Sequence, residues 1–286
     1  MSSLINFHQR DENVGDLMSA PTLYFDFPGF EVSQADLREL QNIDVRGSDV
    51  ILGGGGLLDE FFLPSINRLR TRVAGRRLIF WGVGQQVDHG RWWEDYKAFP
   101  YSDYLREAVL LGIRDYNTPY PWVPCASCMH PAFDRPKEVK HEFVIFSHRT
   151  RPVPIQGFPT LRNDESGFSD TIDFLASGDT VITSSYHGMY WALLLGRKIL
   201  AFPFNSKFFM TKYPVTLYPA VWQKTTPVSR GFRRLTGRSC FEYTCQSVGG
   251  WRIAAGSSRA FPEALKECRD ANRAFYREVV ALLVNR

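Results

Sequence analysis

Short apolar runs that stop at glycine or at polar turns recur along this chain, and each is followed by a stretch of helical length. That alternation is the mark of βαβ units, so the sequence predicts an α/β protein built on parallel sheets. In the first half the predicted strands are residues 3–7, 49–52 (DVIL), 78–83 (LIFWGV) and 109–113, with helices over 17–25 and 57–71 and a polar loop over 11–16. In the second half they are 142–146 (EFVIF), 180–183 (TVIT) and 198–202 (KILAF), with helices over 169–176 and 188–195. A last helix is expected over 262–283, with an apolar face (Leu265, Phe275, Val279, Leu282, Leu283) suited to pack back on the first domain. Five prolines and a run of mixed charge between 117 and 140 place the boundary near 136–141, which gives domains of 1–138 and 139–286. Two doubly wound, Rossmann-like halves facing across a cleft are the expected architecture.

Charge and hydropathy exclude several function classes. Lys and Arg number 34 against 30 Asp and Glu, a net +4, which is too weak to argue for nucleic acid, and no zinc-finger, RNP or basic-zipper pattern is present. The apolar run at 191–202 is broken by Arg197 and Lys198, far short of the ~20 residues of a spanning helix. No cationic region followed by an apolar one opens the chain, so a cytoplasmic location is expected. Five cysteines are an odd number for a full disulfide set and are read as reduced thiols. No sequence feature specifies an oligomeric state.

Four motifs bear on chemistry. Gly53, Gly54, Gly55 and Gly56 are expected where a strand meets a helix, a place where backbone N–H groups hold anions. Leu58 stands where the third glycine of GxGxxG would fall and no Walker lysine follows, so the run either contacts a ligand or lets the backbone approach the facing domain closely. Asn13-Val14-Gly15-Asp16 follows the first strand, where open α/β sheets bind ligands, and Asp16 is either a general acid or base or a helix cap. Ser184-Ser185-Tyr186-His187-Gly188 delivers two hydroxyls and an imidazole to a helix start, suited to proton transfer beside an anion. Arg149, Asn205 and Lys207 follow neighbouring strands of the same half, so cations are expected near His187. Cys125 and Cys128 with His130 lack a convincing second ligand pair, since Cys240 and Cys245 are irregularly spaced, and no metal site is expected. Residues 207–240 carry seven basic residues and no acidic one. Its stretch 229–238 is either a solvated surface or a holder of phosphates or anionic membrane.

The segments NVGD (13–16), DVILGGGGLL (49–58), LIFWGVG (78–84), GIRD (112–115) and above all VITSSYHGMYWALLLGRKILAFPFNSK (181–207) together resemble the polysaccharide pyruvyl transferase family, and in its order. The resemblance implies a GT-B-like pair of Rossmann-type domains, with phosphoenolpyruvate held mainly by the second and a saccharide acceptor entering from the first. It implies transfer of a pyruvyl group to sugar hydroxyls as a ketal in cell-surface or exopolysaccharide synthesis, without metal or redox cofactor. His187 would be the proton-transfer residue near the enol and Asp16 its counterpart on the acceptor. Arg149 and Lys207 would clamp the donor together with Ser185, Gly188 and Asn205, and Asn13, Gly15, Gly54 and Gly55 would lie on the acceptor side. Many members carry arginine two residues before the histidine, where this chain has Ser185. A lipid-linked acceptor and peripheral contact with the inner face of a membrane stay open. The rival readings are a GT-B glycosyltransferase, with Asp164, Glu165 or Asp170 gripping a ribose, and a non-catalytic glycan- or anion-binding relative.

Overall fold

The computed structural model describes residues 2–73, 75–87, 96–225, 243–246 and 248–284; the basic stretch 229–238 and Cys240 lie outside the described residues. The protein is mixed α/β with two parallel five-stranded sheets, in keeping with two Rossmann-like domains. Two compact units divide the chain: Met1–Pro131 with Asn205–Lys212 and Glu263–Arg286, and Ala132–Phe204 with Tyr213–Pro262. The expected single cut between 138 and 139 thus becomes a division in which two later segments return to the first unit. No helix among the described residues is long and apolar enough to cross a membrane.

In the first unit the strands are β1 (Ser2–His8), β2 (Phe30–Asp36), β3 (Ser48–Leu58), β4 (Leu78–Gln85) and β5 (Leu110–Ile113), in the order β2-β1-β3-β4-β5. Helices α1 (Val14–Leu17), α2 (Leu63–Arg72) and α3 (Tyr101–Leu105) lie between them. Strand periodicity sorts the side chains onto two faces. Phe7, Leu52 and Phe80 share a core with Ile66 and Leu69 of α2, and Leu4, Ile51, Ile79 and Trp81 share the other with Phe275, Val279 and Leu283.

Two expectations fail here for stated reasons. The helix expected over 17–25 is α1 followed by a 3-10 turn at Pro21–Leu23, because Pro21 cannot continue a helix. The glycine run does not join strand to helix. It lies inside β3, all of whose residues are buried, and the helix expected from 57 begins only at Leu63, since Leu58 still pairs with Gln85 of β4.

The second unit holds β6 (His141–Ser147), β7 (Thr160–Arg162), α4 (Phe168–Ala176), β8 (Gly178–Thr183), α5 (Tyr186–Leu194), β9 (Lys198–Ala201) and β10 (Thr216–Leu217). A two-stranded antiparallel pair, β11 (Trp222–Lys224) with β12 (Tyr243–Cys245), and α6 (Trp251–Gly256) follow. Its sheet runs β10-β9-β8-β6-β7. Counted within each unit, both sheets therefore have the doubly wound order 2-1-3-4-5. Every residue of α5 is buried, as its apolar composition all round the helix requires.

The closing helix α7 (Ala264–Val284) belongs to the first unit. Burying Phe275, Val279 and Leu283 stabilises this packing by about 1.5–3 kcal/mol each. Its one buried amide is satisfied: Trp81 Nε1 donates to Asn272 Oδ1 at 2.9 Å, and Asn272 Nδ2 donates to the carbonyls of Pro124 and Cys268 at 3.1 and 3.0 Å.

Candidate functional site

In a sheet of this order the crevice for a ligand lies beyond the carboxyl ends of the two strands where the order reverses. In the second unit these are β6 and β8, whose ends are level because Phe146 pairs with Thr183. The hydroxyls that follow fasten the two strand ends together. Thr183 Oγ1 donates to the Phe146 carbonyl at 2.6 Å and accepts the Ser185 N–H at 2.9 Å. Ser184 Oγ accepts the His148 N–H at 2.9 Å and donates to the Arg151 carbonyl at 2.5 Å. Ser185 caps α5 by accepting the Gly188 N–H at 3.3 Å. So the chain after β6 and the start of α5 flank one switch point.

His187 sits in the first turn of α5 and is 5% exposed. Its ring lies 5.3 Å from that of Trp191, one turn on, and 5.5 Å from the Tyr186 ring, edge to face. Gly188 has a packing reason. A Cβ there would collide with the Phe146 ring and come within 2.6 Å of Thr183 Oγ1, so only glycine lets α5 press on the sheet. Gly188→Ala is expected to lower stability by about 1–3 kcal/mol through overpacking, read as a fall in the urea midpoint.

Arg149 is half-buried, with its N–H donating to Asn163 Oδ1 at 2.8 Å. Two residues that sequence reasoning missed stand beside it. The guanidinium of the buried Arg151 lies between the rings of Phe204, at 3.9 Å, and Tyr243, at 4.0 Å. His148 has its ring 5.1 Å from Phe204, and its Nδ1 lies 3.0 Å from Thr150 Oγ1. Burying a cation costs several kcal/mol, and the two aromatic faces and the hydrogen bond from Nη1 to Thr150 Oγ1 at 3.2 Å offset part of that. Asp164 and Glu165, weighed above as ribose ligands, both engage Arg162, at 3.3 and 3.5 Å, and Asp170 is exposed in the first turn of α4.

In the first unit the corresponding switch point lies between β1 and β3. Asn13 caps α1: its Oδ1 accepts the Gly15 N–H at 3.0 Å and its Nδ2 donates to Asp16 Oδ2 at 3.0 Å. The cap is therefore Asn13, and Asp16 is a half-buried carboxylate in the first turn. Gly54 and Gly55 have φ of +89° and +88°; a Cβ on Gly54 would collide with the Ser19 carbonyl, and one on Gly55 would lie 3.9 Å from Asp16 Oδ1. The close approach that these contacts describe is to Ser19 and Asp16 of the same unit. Asn13, Gly15, Asp16, Gly54 and Gly55 thus come together.

His8, at the end of β1, was not singled out by sequence. It is buried, its Nδ1 lies 3.2 Å from the Asp16 carbonyl, and burial pushes its pKa below the usual 6.5. The unfolded chain therefore takes up a proton at a pH where the folded protein does not, so protons favour unfolding. Stability is expected to fall as pH drops through about 6.5, and His8→Gln to flatten that slope in denaturant titrations between pH 7 and about 5.

Asn205 and Lys207 were expected to belong to the same half as His187; their segment is part of the first unit. Ser206 exchanges hydrogen bonds with Val87, at 2.9 and 3.1 Å, and Lys207 Nζ donates to Gln86 Oε1 at 3.0 Å. Asn205 is fully buried, and neither side-chain amide atom has a hydrogen-bond partner among the described residues. Cys125 and Cys128 are buried around a 3-10 turn (Ala126–Met129), and no cluster of three or more His, Cys, Asp or Glu among the described residues is placed to hold a metal.

No family model matches the chain, and no curated protein matches it.

Proposed function

We propose that the protein is a polysaccharide pyruvyl transferase-like enzyme that moves a pyruvyl group from phosphoenolpyruvate to two saccharide hydroxyls. The reading rests on the resemblance carried by residues 181–207 and arranges the two units as a GT-B-like pair about a cleft. The observation that favours it most is the level ending of β6 and β8, which sets a basic segment (His148, Arg149, Arg151) beside the His187 helix start.

In this reading His187 protonates the methylene carbon of the donor, and the adjacent carbon takes the first sugar hydroxyl. Phosphate leaves, and the second hydroxyl closes the ketal; of the two hydroxyl protons displaced, one balances the new methyl group and the other leaves with phosphate. Arg149 and Lys207 offset the donor's negative charges, and Asp16 orients or deprotonates the acceptor. Ser185 already serves as the helix cap, so Arg151 supplies the cation that related chains place two residues before the histidine. The reaction class belongs to cell-surface or exopolysaccharide synthesis, in the cytoplasm or at the inner face of a membrane.

Phosphate release on mixing phosphoenolpyruvate with saccharide acceptors tests this directly, and heat protection separates the rivals. Phosphoenolpyruvate at 100 times its Kd is expected to stabilise the fold by about 2.7 kcal/mol, while nucleotide sugars leave it unchanged. Protection by a nucleotide sugar instead would favour the glycosyltransferase, and protection by phosphoenolpyruvate without phosphate release the non-catalytic relative.

A further inference from the structure

We infer that the first unit carries a saccharide-binding cavity of its own, in which neutral sugar rings stack on aromatic side chains. The cavity measures about 590 Å³, within the usual range for small-molecule sites, and lies beyond the carboxyl ends of β4 and β5. Tyr96, Phe99, Tyr101, Tyr116, Tyr120 and Phe209 line it, and all but Tyr101 are half-buried, so ring surface remains open to solvent.

The walls are held in place before any ligand arrives. Tyr101 donates to Asp115 Oδ2 at 2.8 Å and accepts from Gln85 Nε2 at 2.9 Å, and Asp115 Oδ2 also accepts the Gln85 N–H at 2.6 Å. Phe99 packs edge to face on Tyr101 at 4.9 Å, and Tyr120 lies 5.9 Å from it. Across the cavity the Tyr96 and Phe209 rings lie 5.6 Å apart, and the Tyr116 N–H donates to the Met210 carbonyl at 2.8 Å, tying the segment that carries Phe209 to the loop after β5.

The chemistry of the lining selects the ligand. Among the described residues Lys97 is its only charged one and is exposed, so a phosphate or carboxylate finds little there to pair with. Besides Tyr101, whose hydroxyl is engaged by Asp115 and Gln85, three of the rings are tyrosines, and Ser102, Asn117 and Thr118 add polar groups, so a purely apolar ligand would take water from hydroxyls and an amide without replacing it. A sugar ring has apolar C–H faces for the aromatic walls and hydroxyls on its edge for those polar groups. The inference does not depend on pyruvyl transfer: the cavity lies wholly within the first unit and uses none of the residues assigned to that reaction.

Calorimetric titration of the full chain tests it, with cellotetraose, maltotetraose, laminaritetraose and a β-1,4-galactotetraose as neutral probes and a ten-residue polyproline peptide as the competing ligand. At least one tetrasaccharide is expected to bind saturably, about tenfold more weakly in Phe209→Ala and with little change in Phe209→Tyr, which keeps the stacking face. Ser102→Trp, at an exposed lining position, fills the cavity without removing a ring and is expected to abolish binding even if Phe209→Ala folds poorly. Absence of binding by all four sugars, equal binding by the Ser102→Trp protein, or binding of the polyproline peptide alone would overturn the inference. Heat protection by phosphoenolpyruvate, measured on the same variants, is expected to be unchanged, so failure of the transfer reading and failure of the sugar site are read separately.

Discussion

His187→Gln is expected to lower pyruvyl transfer by about 10²–10⁴-fold, the usual contribution of one positioned acid or base, while heat protection by phosphoenolpyruvate persists. The two effects separate because the donor's charges are assigned to Arg149, Arg151 and Lys207, whereas the proton is assigned to the imidazole. Gln is close in length and keeps one hydrogen-bonding end, so the contact one turn along with Trp191 is disturbed little. His187→Ala should lose turnover to the same extent but also leaves a gap at a position only 5% exposed, so its Tm should fall further. Wild-type turnover in the Gln variant would reduce His187 to a packing residue of α5 and remove the mechanism.

Gly54→Ala should be the most damaging single-methyl change in the first unit. Two costs add: a left-handed backbone at φ +89° disfavours any Cβ by about 1–2 kcal/mol, and the new methyl would occupy the space of the Ser19 carbonyl, an overpacking of about 1–3 kcal/mol. The sum, about 2–5 kcal/mol, is a large part of the ~5–15 kcal/mol that holds an ordinary domain folded. Urea unfolding should show a much lower midpoint, and poor recovery of folded protein would agree with it. Gly75→Ala is the control, since Gly75 has φ +80° but nothing within 4 Å of its Cβ position, so only the backbone cost applies. Equal losses in the two variants would mean that the approach of Ser19 contributes nothing.

The central strands were legible because a parallel strand covered on both faces reads as an unbroken apolar run, as in DVIL, LIFWGV and TVIT. Edge strands send no such signal. In β2, Glu31, Val32 and Ser33 are exposed and, among the described residues, the strand pairs only with β1, while β10 has two residues. Glycine carries no side-chain pattern, so the continuation of β3 through Gly56 depends on the Ser19–Pro21 segment and Gln86 filling the space that side chains would have taken. Position after a strand was enough to put Asp16, Arg149 and His187 in the segments that follow β1, β6 and β8. Arg151 escaped notice because its burial depends on Phe204 and Tyr243, which only the folded chain brings to it. Asn205 and Lys207 were assigned to the second half from their neighbourhood in sequence, whereas the chain returns to the first unit just after Phe204. The aromatic cavity draws its walls from segments near 96–101, 116–120 and 209, none of which forms a motif alone.

The return of α7 to the first unit separates the order of synthesis from the order in which hydrophobic cores can close. On the ribosome, the sheet face that carries Leu4, Ile51, Ile79 and Trp81 emerges early, but its cover, Phe275, Val279 and Leu283, emerges after the whole second unit. Until then Trp81 lacks its partner Asn272 and an apolar surface stands open, a situation that favours aggregation during translation. The second unit, whose residues are all made before α7, can complete its own core first, so the apolar face left open during synthesis belongs to the earlier half rather than the later one.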